Sequence, residues 1–583
     1  MIRKLKKAWL ILRRNGRQGL YRRVLWHYRL YRWNKVYQRW IQEHDTLSED
    51  DCRQIKLRIG RLSSKPLISV LMPVYNVEET WLRKAIESVV AQIYPHWEFC
   101  IADDASTKPH IRKVLEEYAA KDERIKVVFR EQNGHISAAS NSALELATGE
   151  FTALLDHDDE LSKHALYLVA EEVNSHPETE MIYSDEDMID SRDKRSEPKF
   201  KPDWSPDLFY SLNLITHLSV YRTSTLRKVG GLRIGAEGSQ DYDLALRITD
   251  EISPSKIRHI PYILYHWRAI SGSVALSSDE KPYAHARARQ AIEAHFGRKG
   301  IAAKSIQGYG ELHRAVYDLP NDPPLVSIIT TDGHLPSLLN SLFSTTDYKP
   351  YEIIIITRGP ENDLTSDKRV QVIDCNGETH YSSLNIASRK ASGSVLCFID
   401  GSTIVRSGDW LRELVSQAIQ QEIGAVGAKI FYPGGKIKHA GLITGIRNNI
   451  GRAHYKFHKQ DMGNFMRLHV TQNFAAVSAE CLTIRKEVFD SVCGFDAENF
   501  PSAYGDVDLC LRLLEKGYRN VWTPWAELIQ SNEPAEGNET ELARLREKWT
   551  KYFVNDPYFN PNFSNESDDF TLSFPPRTGK FSL

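Results

Sequence analysis

The sequence predicts an α/β fold in which two tandem domains, each with a Rossmann-like and mostly parallel sheet, follow a basic helical N-terminal segment. Three observations lead to this prediction. Short apolar stretches alternate with patterns of helical period from residue 66 onward, as in parallel sheets covered by helices. The stretch 66–70 recurs as 324–328, which indicates an internal repeat. Residues 1–42 contain many basic side chains and no acidic one.

Composition narrows the class of protein. The 583 residues leave room for several domains, and 41% hydrophobic and 26% charged residues are typical of a globular chain. The seven cysteines form no Cys-x-x-Cys pair, which argues against a zinc site or disulfide framework and favours a reducing compartment. Because no apolar run approaches the roughly 18 residues of a membrane span, we expect neither a span nor a signal peptide.

Residues 1–65 interleave cations with aromatic side chains. This pattern predicts helices that lie on an anionic membrane surface through residues 1–40, with rings among the headgroups and Lys and Arg among the phosphates. The alternative is a helix that packs on the next domain and leaves its basic face in water. Nucleic acid is not an expected partner, because no recognition motif accompanies the charge. The aromatic residues include Trp9, Tyr21, Trp26, Tyr28, Tyr31, Trp33, Tyr37 and Trp40.

The first domain, predicted over residues 66–305, opens with alternating strands and helices. Ligands of such sheets bind beyond the carboxyl ends of the strands. Tyr75, Asp104, Asn133 and Asp156 fall at those ends, so we expect them to converge. The strands are predicted over 67–72 (closed by Pro73), 99–102, 125–129 and 151–155, and the helices over 82–93, 114–118 and 137–147.

Three carboxylates follow the buried strand over residues 151–155. Side chains alternate along a strand, so Asp156 and Asp158 are predicted to share one face. Two hard oxygen ligands on one edge suit Mg²⁺ or Mn²⁺, particularly when a substrate phosphate completes the coordination. A solvated acidic turn is the alternative interpretation of an isolated Asp-x-Asp.

Eight motifs follow one another along residues 73–268. In this order and spacing they resemble glycosyltransferase family 2, which has the GT-A fold, and in particular bacterial O-antigen and rhamnan-type transferases with two such domains in one chain. The motifs are Pro73-Val74-Tyr75-Asn76, Ala102-Asp103-Asp104-Ala105-Ser106, Asn133-Gly134-His135, Leu155-Asp156-His157-Asp158-Asp159, Tyr183-Ser184-Asp185-Glu186-Asp187, Lys201-Pro202-Asp203-Trp204-Ser205-Pro206-Asp207, Gly238-Ser239-Gln240-Asp241 and Tyr265-His266-Trp267-Arg268.

The resemblance implies a nucleoside-diphosphate sugar as donor. Asp104 would accept a hydrogen bond from the N3–H of the base, and Tyr75 would flank the base; an N-cap and a partly buried ring are the respective alternatives. The donor-binding set implied by the resemblance is Pro73, Tyr75, Asp104, Asn133, Asp156 and Arg268. The implied ligands of Mn²⁺ or Mg²⁺ are Asp158, Asp156 and His266, with a structural histidine as the alternative for the last. Asp159 would support the site or cap a helix.

Asp241 occupies the family position of the general base. Such a base takes the proton from the acceptor hydroxyl as it attacks the anomeric carbon, so the configuration inverts. A plain cap of the following helix is the alternative. The common Glu-Asp pair of the family is Gln240-Asp241 here, and only the Asp is needed as base.

The repeat predicts a second domain of the same fold over residues 320–555, followed by a tail over 556–583 that wraps this domain or is partly disordered. Its site looks degenerate. Arg358 stands where the first copy has Asp104, and Asp400-Gly401-Ser402 stands where it has Asp156-His157-Asp158. Asp506 alone matches, at the position of the base. We therefore expect this domain to position an acceptor or dock a partner; phosphate binding by Arg358 is the main alternative.

The resemblance thus implies a metal-dependent inverting hexosyl or deoxyhexosyl transferase. Its acceptor would be a glycan or lipid-linked glycan of a growing surface polysaccharide, and its place the bacterial cytoplasm, peripheral on the inner face of the cytoplasmic membrane. Two active domains, or a second domain that is a non-catalytic glycan-binding or scaffold module, are the alternatives. A sugar-nucleotide pyrophosphorylase is disfavoured, because its Gly-rich basic loop is absent near Pro73.

Overall fold

The computed structural model describes residues 31–270, 282–331, 335–359, 367–533 and 537–579. Two large mixed sheets, one in each half of the chain, carry helices on their faces. Residues 1–30, on which most of the predicted membrane-surface pattern falls, lie outside this range. None of the helices within it is both long and apolar enough to cross a bilayer.

The first domain is built on nine strands. They are β1 (Ile68–Val74), β2 (Trp97–Asp103), β3 (Ile125–Phe129), β4 (Phe151–Leu154), β5 (Glu160–Leu161), β6 (Met181–Ile189), β7 (Arg195–Lys199), β8 (Ser219–Arg222) and β9 (Ile257–Arg268). The helices of the N-terminal half are α1 (residues 31–40), α2 (Glu49–Arg61), α3 (Glu79–Val90), α4 (Pro109–Lys121), α5 (His135–Leu146), α6 (Ala165–Ser175), α7 (Pro206–Phe209), α8 (Thr223–Lys228), α9 (Gln240–Glu251) and α10 (Pro282–Lys299).

The sheet order is β3-β2-β1-β4-β8-β6-β9-β5, with β7 paired to β6. Strands β1 to β4 pair in parallel, and β8 runs antiparallel to both of its neighbours. Every residue of β1 and β2 is buried, because helices cover both faces of the sheet and both faces of each strand must therefore be apolar. The predicted stop at Pro73 is off by one residue: β1 continues to Val74, and Pro73 pairs with Ala102.

The second domain repeats this topology. Its strands are β12 (Val326–Thr331), β13 (Tyr351–Thr357), β14 (Val370–Asp374), β15 (Val395–Ile399), β16 (Thr403–Val405), β17 (Ile423–Phe431), β18 (Ile437–His439), β19 (Leu442–Ile446), β20 (Asn449–Arg452), β21 (Gln472–Asn473), β22 (Cys481–Arg485) and β23 (Arg519–Gln530). Its helices are α11 (Leu335–Thr345), α12 (His380–Lys390), α13 (Trp410–Ala418), α14 (Lys486–Ser491), α15 (Gly505–Glu515), α16 (Glu539–Lys548) and α17 (Thr550–Val554).

The order β14-β13-β12-β15-β22-β17-β23-β16 matches the first sheet strand for strand. The repeat extends to single hydrogen bonds: the Ser69 hydroxyl donates to Glu98 at 2.6 Å, and the Ser327 hydroxyl donates to Glu352 at 2.6 Å. Each of these hydroxyls also accepts from a glycine N–H at 2.9 Å. The internal repeat predicted from the sequence is therefore a repeat of fold and of buried polar contacts.

A β-hairpin joins the two domains. Its strands are β10 (Ala303–Gln307) and β11 (His313–Tyr317), and they pair with each other alone. Ala315 and Tyr317 are buried in the same apolar cluster as Phe296 of α10. The hairpin thus packs on the first domain, in the region where the sequence predicted the domain boundary.

Helix α1 is anchored in the protein interior. Tyr37 and Trp40 are 0% and 3% exposed, and both pack against Phe200. The Tyr37 hydroxyl donates to Asp187 at 2.6 Å. The prediction that residues 1–40 all lie on a membrane is therefore wrong for these two rings; their burial is the packed-helix alternative.

The C-terminal tail binds both domains. Phe559 and Phe563 pack together with Phe200 of the first domain in one apolar cluster. The Asn560 amide donates to Asp185 at 2.9 Å and to the Lys201 carbonyl at 2.7 Å. The described part of the tail is thus folded across the junction and is not confined to the second domain.

A buried polar clamp also joins the two domains. Asp207 of α7 is 3% exposed and accepts a hydrogen bond from the Asn473 amide at 2.7 Å. The Arg519 guanidinium lies 3.0 Å from the same carboxylate. Because a buried carboxylate is costly without partners, these contacts fix α7 against the second sheet.

We predict that Arg519→Met lowers the free energy of unfolding by about 2–4 kcal/mol, because it leaves Asp207 buried with one partner fewer. Urea unfolding of the full chain followed by tryptophan fluorescence measures this. Arg53→Met is the matched control, since Arg53 pairs with Asp50 on the surface, where ion pairs contribute little. Equal midpoints for the two variants would contradict the prediction.

Candidate active site

The ends of β1 and β2 form one side of the site. The Asn76 side-chain carbonyl accepts from the N–H groups of Thr107 and Lys108 at 2.9 and 3.1 Å, which ties the two loops together. Tyr75 is 46% exposed at this edge. Its ring is therefore accessible to a flat ligand, as the prediction for Tyr75 requires.

Asp104 is 2% exposed and has partners within the protein. Its Oδ1 accepts from Arg130 Nε at 2.8 Å and from the Gly134 N–H at 2.9 Å. The Asn133 amide donates to the Asp104 carbonyl at 3.2 Å. The predicted convergence of Asp104 and Asn133 is thus present, while Asp104 Oδ2 has only a longer contact of 3.2 Å with Gly134 and keeps capacity for a ligand. The N-cap alternative for Asp104 does not apply, because the following helix α4 begins at Pro109 after Lys108.

The acidic segment after β4 forms a turn. β4 ends at Leu154, and the Asp159 N–H donates to the Asp156 carbonyl at 3.2 Å. Strand alternation therefore does not apply to Asp156 and Asp158, so the argument for placing them on one face fails. The turn brings Asp156 together with Asp159, three positions on.

Asp159 fixes this turn to strand β9. It is 1% exposed, accepts from the Tyr265 hydroxyl at 2.6 Å and accepts from the Arg268 N–H at 2.7 Å. Burial, together with the charges of Asp158 and Asp156, raises the pKa of Asp159 well above its usual range. Through these two hydrogen bonds Asp159 supports the acidic turn, as one of the two sequence interpretations proposed.

Arg268 does not face the site. Its side chain is fully buried, its Nε donates to the Asp158 carbonyl at 2.8 Å, and its other nitrogens contact Glu160 and Asp193. The bond to the Asp158 carbonyl braces the acidic turn. The predicted contact of Arg268 with the donor diphosphate is corrected to this bracing role, since its guanidinium nitrogens are all bonded to protein groups and Arg268 does not line the cleft.

His266 is likewise committed to the protein. Its Nδ1 lies 2.6 Å from Asp187 and its Nε2 lies 3.0 Å from the Ser162 hydroxyl. With both ring nitrogens in hydrogen bonds, neither is available to a metal ion. The predicted ligand role of His266 is therefore corrected to the structural one.

His217 takes the place expected for His266. Its Nδ1 lies 3.0 Å from Glu186, and its ring stacks on Tyr265 at 4.4 Å. Although burial opposes ionisation, Lys199 and Lys201 hold the pKa of Glu186 well below its usual range. An ionised Glu186 accepts the Nδ1 proton, which leaves Nε2 for a ligand.

Sequence reasoning missed His217 because it lies between two motifs. The signal that could have found it is its place just before β8: because β8 runs antiparallel to β4, the start of β8 lies at the same edge of the sheet as the carboxyl end of β4. Within the described residues, Asp156, Asp159 and His217 place one ligand atom each within 4.8 Å of one another. Two carboxylate oxygens and one imidazole nitrogen fit Mn²⁺ or Mg²⁺, Mn²⁺ the better because of the nitrogen.

Asp241 lies at the start of α9, in the same open cleft. The cleft is lined by Pro73, Asp156, His217 and Asp241, among others. Asp241 Oδ2 accepts from the Asn213 amide at 2.8 Å and from the Thr216 hydroxyl at 3.2 Å.

Burial raises the pKa of Asp241, while His217 lowers it. A carboxylate with a raised pKa is a better proton acceptor than a solvated one. The cleft can therefore accept a proton at Asp241 and bind a cation at the Asp156 turn. The structure brings together Pro73, Asp156 and Asp241, as the sequence predicted.

The equivalent site of the second domain lacks these groups. Asp400 accepts from the Ser402 N–H at 2.8 Å, and the Ser402 hydroxyl contacts Asn532 at 2.9 Å. Asp506 is partly buried and accepts from the Ala479 N–H at 2.9 Å. Burial raises the pKa of Asp506, as it does that of its counterpart Asp241.

Glu480 replaces His217 in the second domain; each precedes by five residues the arginine that ends its strand. Lys438 is fully buried, and its Nζ lies 3.3 Å from Glu480 and 2.6 Å from Gln530. Arg452 lies 3.3 Å from the same carboxylate. Two internal cations thus neutralise the position that the first domain offers to a metal ion.

Each of the two domains matches a known protein family. Residues 69–230 match "Glycosyl transferase family 2", and residues 323–551 match "Glycosyltransferase like family 2". The two matched ranges cover most of the chain, and the first ends before β9. The chain belongs to glycosyltransferase family 2, as its motifs indicated.

Three relatives are instructive. A protein of Sinorhizobium fredii named y4gI is 41% identical over 89% of this chain and 60% of its own length. "O-antigen biosynthesis protein RfbC" of Myxococcus xanthus is 34% identical over 90% of this chain and 42% of its own length. The Escherichia coli protein WfgD, named a UDP-Glc:alpha-D-GlcNAc-diphosphoundecaprenol beta-1,3-glucosyltransferase, is 42% identical over 16% of this chain and 35% of its own length. The chain thus spans only part of each relative.

Two solved structures are also similar. S. aureus TarS 1–349 in complex with UDP-GlcNAc aligns with a TM-score of 0.31 and 21% identity over 40% of this chain and 72% of that one. The mannosyltransferase PcManGT of Pyrobaculum calidifontis, in complex with GDP-Man and Mn²⁺, aligns with a TM-score of 0.29 and 14% identity over 43% and 82%. Each likeness extends over less than half of the present chain.

We predict that Asp156→Asn and His217→Gln weaken Mn²⁺ binding by roughly tenfold or more, because each removes one ligand of the group. Electron paramagnetic resonance of free Mn²⁺ during titration measures the affinity without any substrate. Asp158→Asn and His266→Gln serve as matched controls and should bind Mn²⁺ nearly as the parent does. A loss in the controls equal to that in the two variants would restore the ligand set predicted from the sequence.

Proposed function

We propose that this chain is an inverting glycosyltransferase that moves a hexosyl or deoxyhexosyl group from a nucleoside-diphosphate sugar to a growing surface polysaccharide of the O-antigen type. The observation that carries the proposal is the shared cleft of Asp241 and Asp156, since transfer needs a base and a leaving-group site side by side. The name of the Myxococcus xanthus relative supports the O-antigen-type acceptor.

Asp241 acts as the general base. Asn213 and Thr216 donate to its Oδ2 and hold the carboxylate toward the cleft. It removes the proton from the acceptor hydroxyl as that oxygen attacks the anomeric carbon from the face opposite the diphosphate. This single displacement inverts the anomeric configuration. Tyr75, Asp104 and Asn133 bind the nucleotide at the other side of the cleft.

Asp156, Asp159 and His217 would hold a divalent cation, Mn²⁺ or Mg²⁺. When bound, such a cation stabilises negative charge on a departing diphosphate as a Lewis acid. The protein's own contribution is to orient these ligands: Glu186 fixes the His217 ring, and Tyr265 fixes Asp159.

The second domain is not a transferase of the same kind. Two features support this statement: the internal cations Lys438 and Arg452 lie beside Glu480, and Ser402 stands in place of a carboxylate. Asp506 remains at the base position without a comparable donor or metal set. The second domain therefore has a role in placing the acceptor. An active site in this domain is the contrary outcome that the test below addresses.

The Asp241→Asn variant should bind nucleotide normally and lose turnover by roughly 10²–10⁴-fold, because proton transfer is removed while the amide keeps the size of the side chain. Nucleotide release from a panel of UDP-, dTDP- and GDP-sugars, followed by product analysis, measures this. Asp506→Asn is the matched control at the repeated position and should transfer at the parent rate. Loss of one specific linkage in the control would show that both domains are active.

We further propose that residues 1–30 bind the chain peripherally to the inner face of the cytoplasmic membrane, where a lipid-linked glycan acceptor is presented. The support is the basic and aromatic sequence of this segment. The name of the WfgD relative specifies a diphosphoundecaprenol-linked sugar as acceptor, which also favours a lipid-linked acceptor here.

Deletion of residues 1–30 should abolish binding to vesicles that contain phosphatidylglycerol, and salt should weaken binding by the full chain, because screening reduces surface attraction. Co-sedimentation measures both effects. The deletion should retain the melting temperature of the parent, whereas deletion of residues 1–40 should lower it, because Tyr37 and Trp40 are core residues. Equal sedimentation of the 1–30 deletion and the parent would refute membrane binding by this segment.

A further inference from the structure

One segment of the second domain packs against residues of the first domain that lie beside its cleft. This bridging loop, residues 463–473, contains a 3₁₀ turn over Asn464–His469 and ends in the short strand β21. At its tip, Phe465 and Met466 have φ angles of 49° and 58°, in the left-handed region that side chains other than glycine rarely adopt. Such backbone persists where the surroundings hold it in place.

The base of the bridging loop is fixed to the first domain. Asn473 accepts from the Ser205 hydroxyl at 2.9 Å and donates to Asp207 at 2.7 Å. The Ser211 hydroxyl contacts the Thr471 carbonyl at 3.4 Å. These contacts lie on residues 205–211, just before the segment 213–217 that lines the cleft. The loop and the wall of the cleft therefore form one unit.

The tip of the loop extends a row of side chains that starts at the candidate metal ligand. The Trp267 ring lies 5.6 Å from the His217 ring. The Lys199 ammonium lies 4.6 Å from the Trp267 ring and 5.8 Å from the Phe465 ring. Met466, next to Phe465, is 39% exposed. The row thus passes from the first domain to the second without interruption.

The chemistry of this row suits a sugar chain. Sugar rings have apolar C–H faces that pack on aromatic rings and hydroxyl edges that need hydrogen-bond partners. The row offers Trp267 and Phe465 as apolar surfaces. The partly exposed Lys199 ammonium, 2.6 Å from the buried Glu186, is a polar group between them. Asp104, on the nucleotide side of the cleft, follows β2. Lys199 and Trp267 belong to β7 and β9, which lie on the other side of β4 in the sheet, so the row borders the side left for the acceptor.

We infer that Phe465 and Met466 of the second domain form the outer part of the acceptor-binding surface of the first-domain site. The acceptor sugar next to the reacting one packs near Trp267, and the following sugars pack on the bridging loop. This inference rests on the proposed function and deepens it. It gives the second domain a part in binding a polysaccharide acceptor that needs no donor site of its own.

The test uses the full chain with the Phe465→Ala/Met466→Ala double variant. Two activities are compared: nucleotide release from the sugar donor in water, and transfer to a panel of p-nitrophenyl mono- and oligosaccharides. The double variant should release nucleotide at the parent rate and show an acceptor KM raised roughly tenfold or more, with kcat little changed. Phe465→Trp should keep the acceptor KM of the parent. Val554→Ala, at another exposed apolar position of the second domain, is the matched control.

Melting temperature and circular dichroism establish that each variant is folded. If the double variant does not fold, Met466→Ser decides instead, since this side chain is exposed, and a roughly threefold rise in KM is expected. The inference alone is overturned if the variant has an unchanged acceptor KM. It is also overturned if the parent releases nucleotide but transfers to no glycoside and binds none in saturation-transfer NMR. A parent that releases no nucleotide from any donor overturns the proposed function as well.

Discussion

The buried carboxyl of Asp159 is the contact on which the arrangement of the first site depends. It receives the Tyr265 hydroxyl and the Arg268 N–H, and so joins the turn after β4 to the end of β9, three strands away in the sheet. Arg268 adds a hydrogen bond from its Nε to the Asp158 carbonyl. Because a buried carboxyl must be satisfied, these contacts hold the backbone of the acidic turn and set where Asp156 projects.

The two domains show how a fold can be kept while the chemistry of a site is lost. Both sheets have the same strand order, and the Ser69–Glu98 bond of the first reappears as Ser327–Glu352 in the second. These contacts lie near the amino ends of the strands, opposite the carboxyl ends that carry the site. Substitutions at the ends leave the sheet intact, because the side chains there are held by loops. The second domain therefore folds with Lys438 where the first has room for a cation.

Much of the fold followed from local patterns. Strand 125–129 has the predicted bounds, because a short apolar run between two helical patterns fits one strand of a parallel sheet. In the site, the sequence placed Pro73, Asp156 and Asp241 correctly in one cleft. It assigned His266 and Arg268 wrongly, since a motif gives residue types at a position and does not say which neighbours already occupy their nitrogens.

By itself, the sequence determined the family, the tandem repeat, the parallel core of each sheet and the loss of carboxylates in the second domain, because these depend on residue types and their spacing along the chain. Only the tertiary structure decided which side chains meet. The turn at Asp156–Asp159, the imidazole of His217 and the approach of Phe465 to the first cleft each depend on contacts between distant segments. Such contacts are set by how whole layers pack, and no local pattern records the direction in which a side chain finally points.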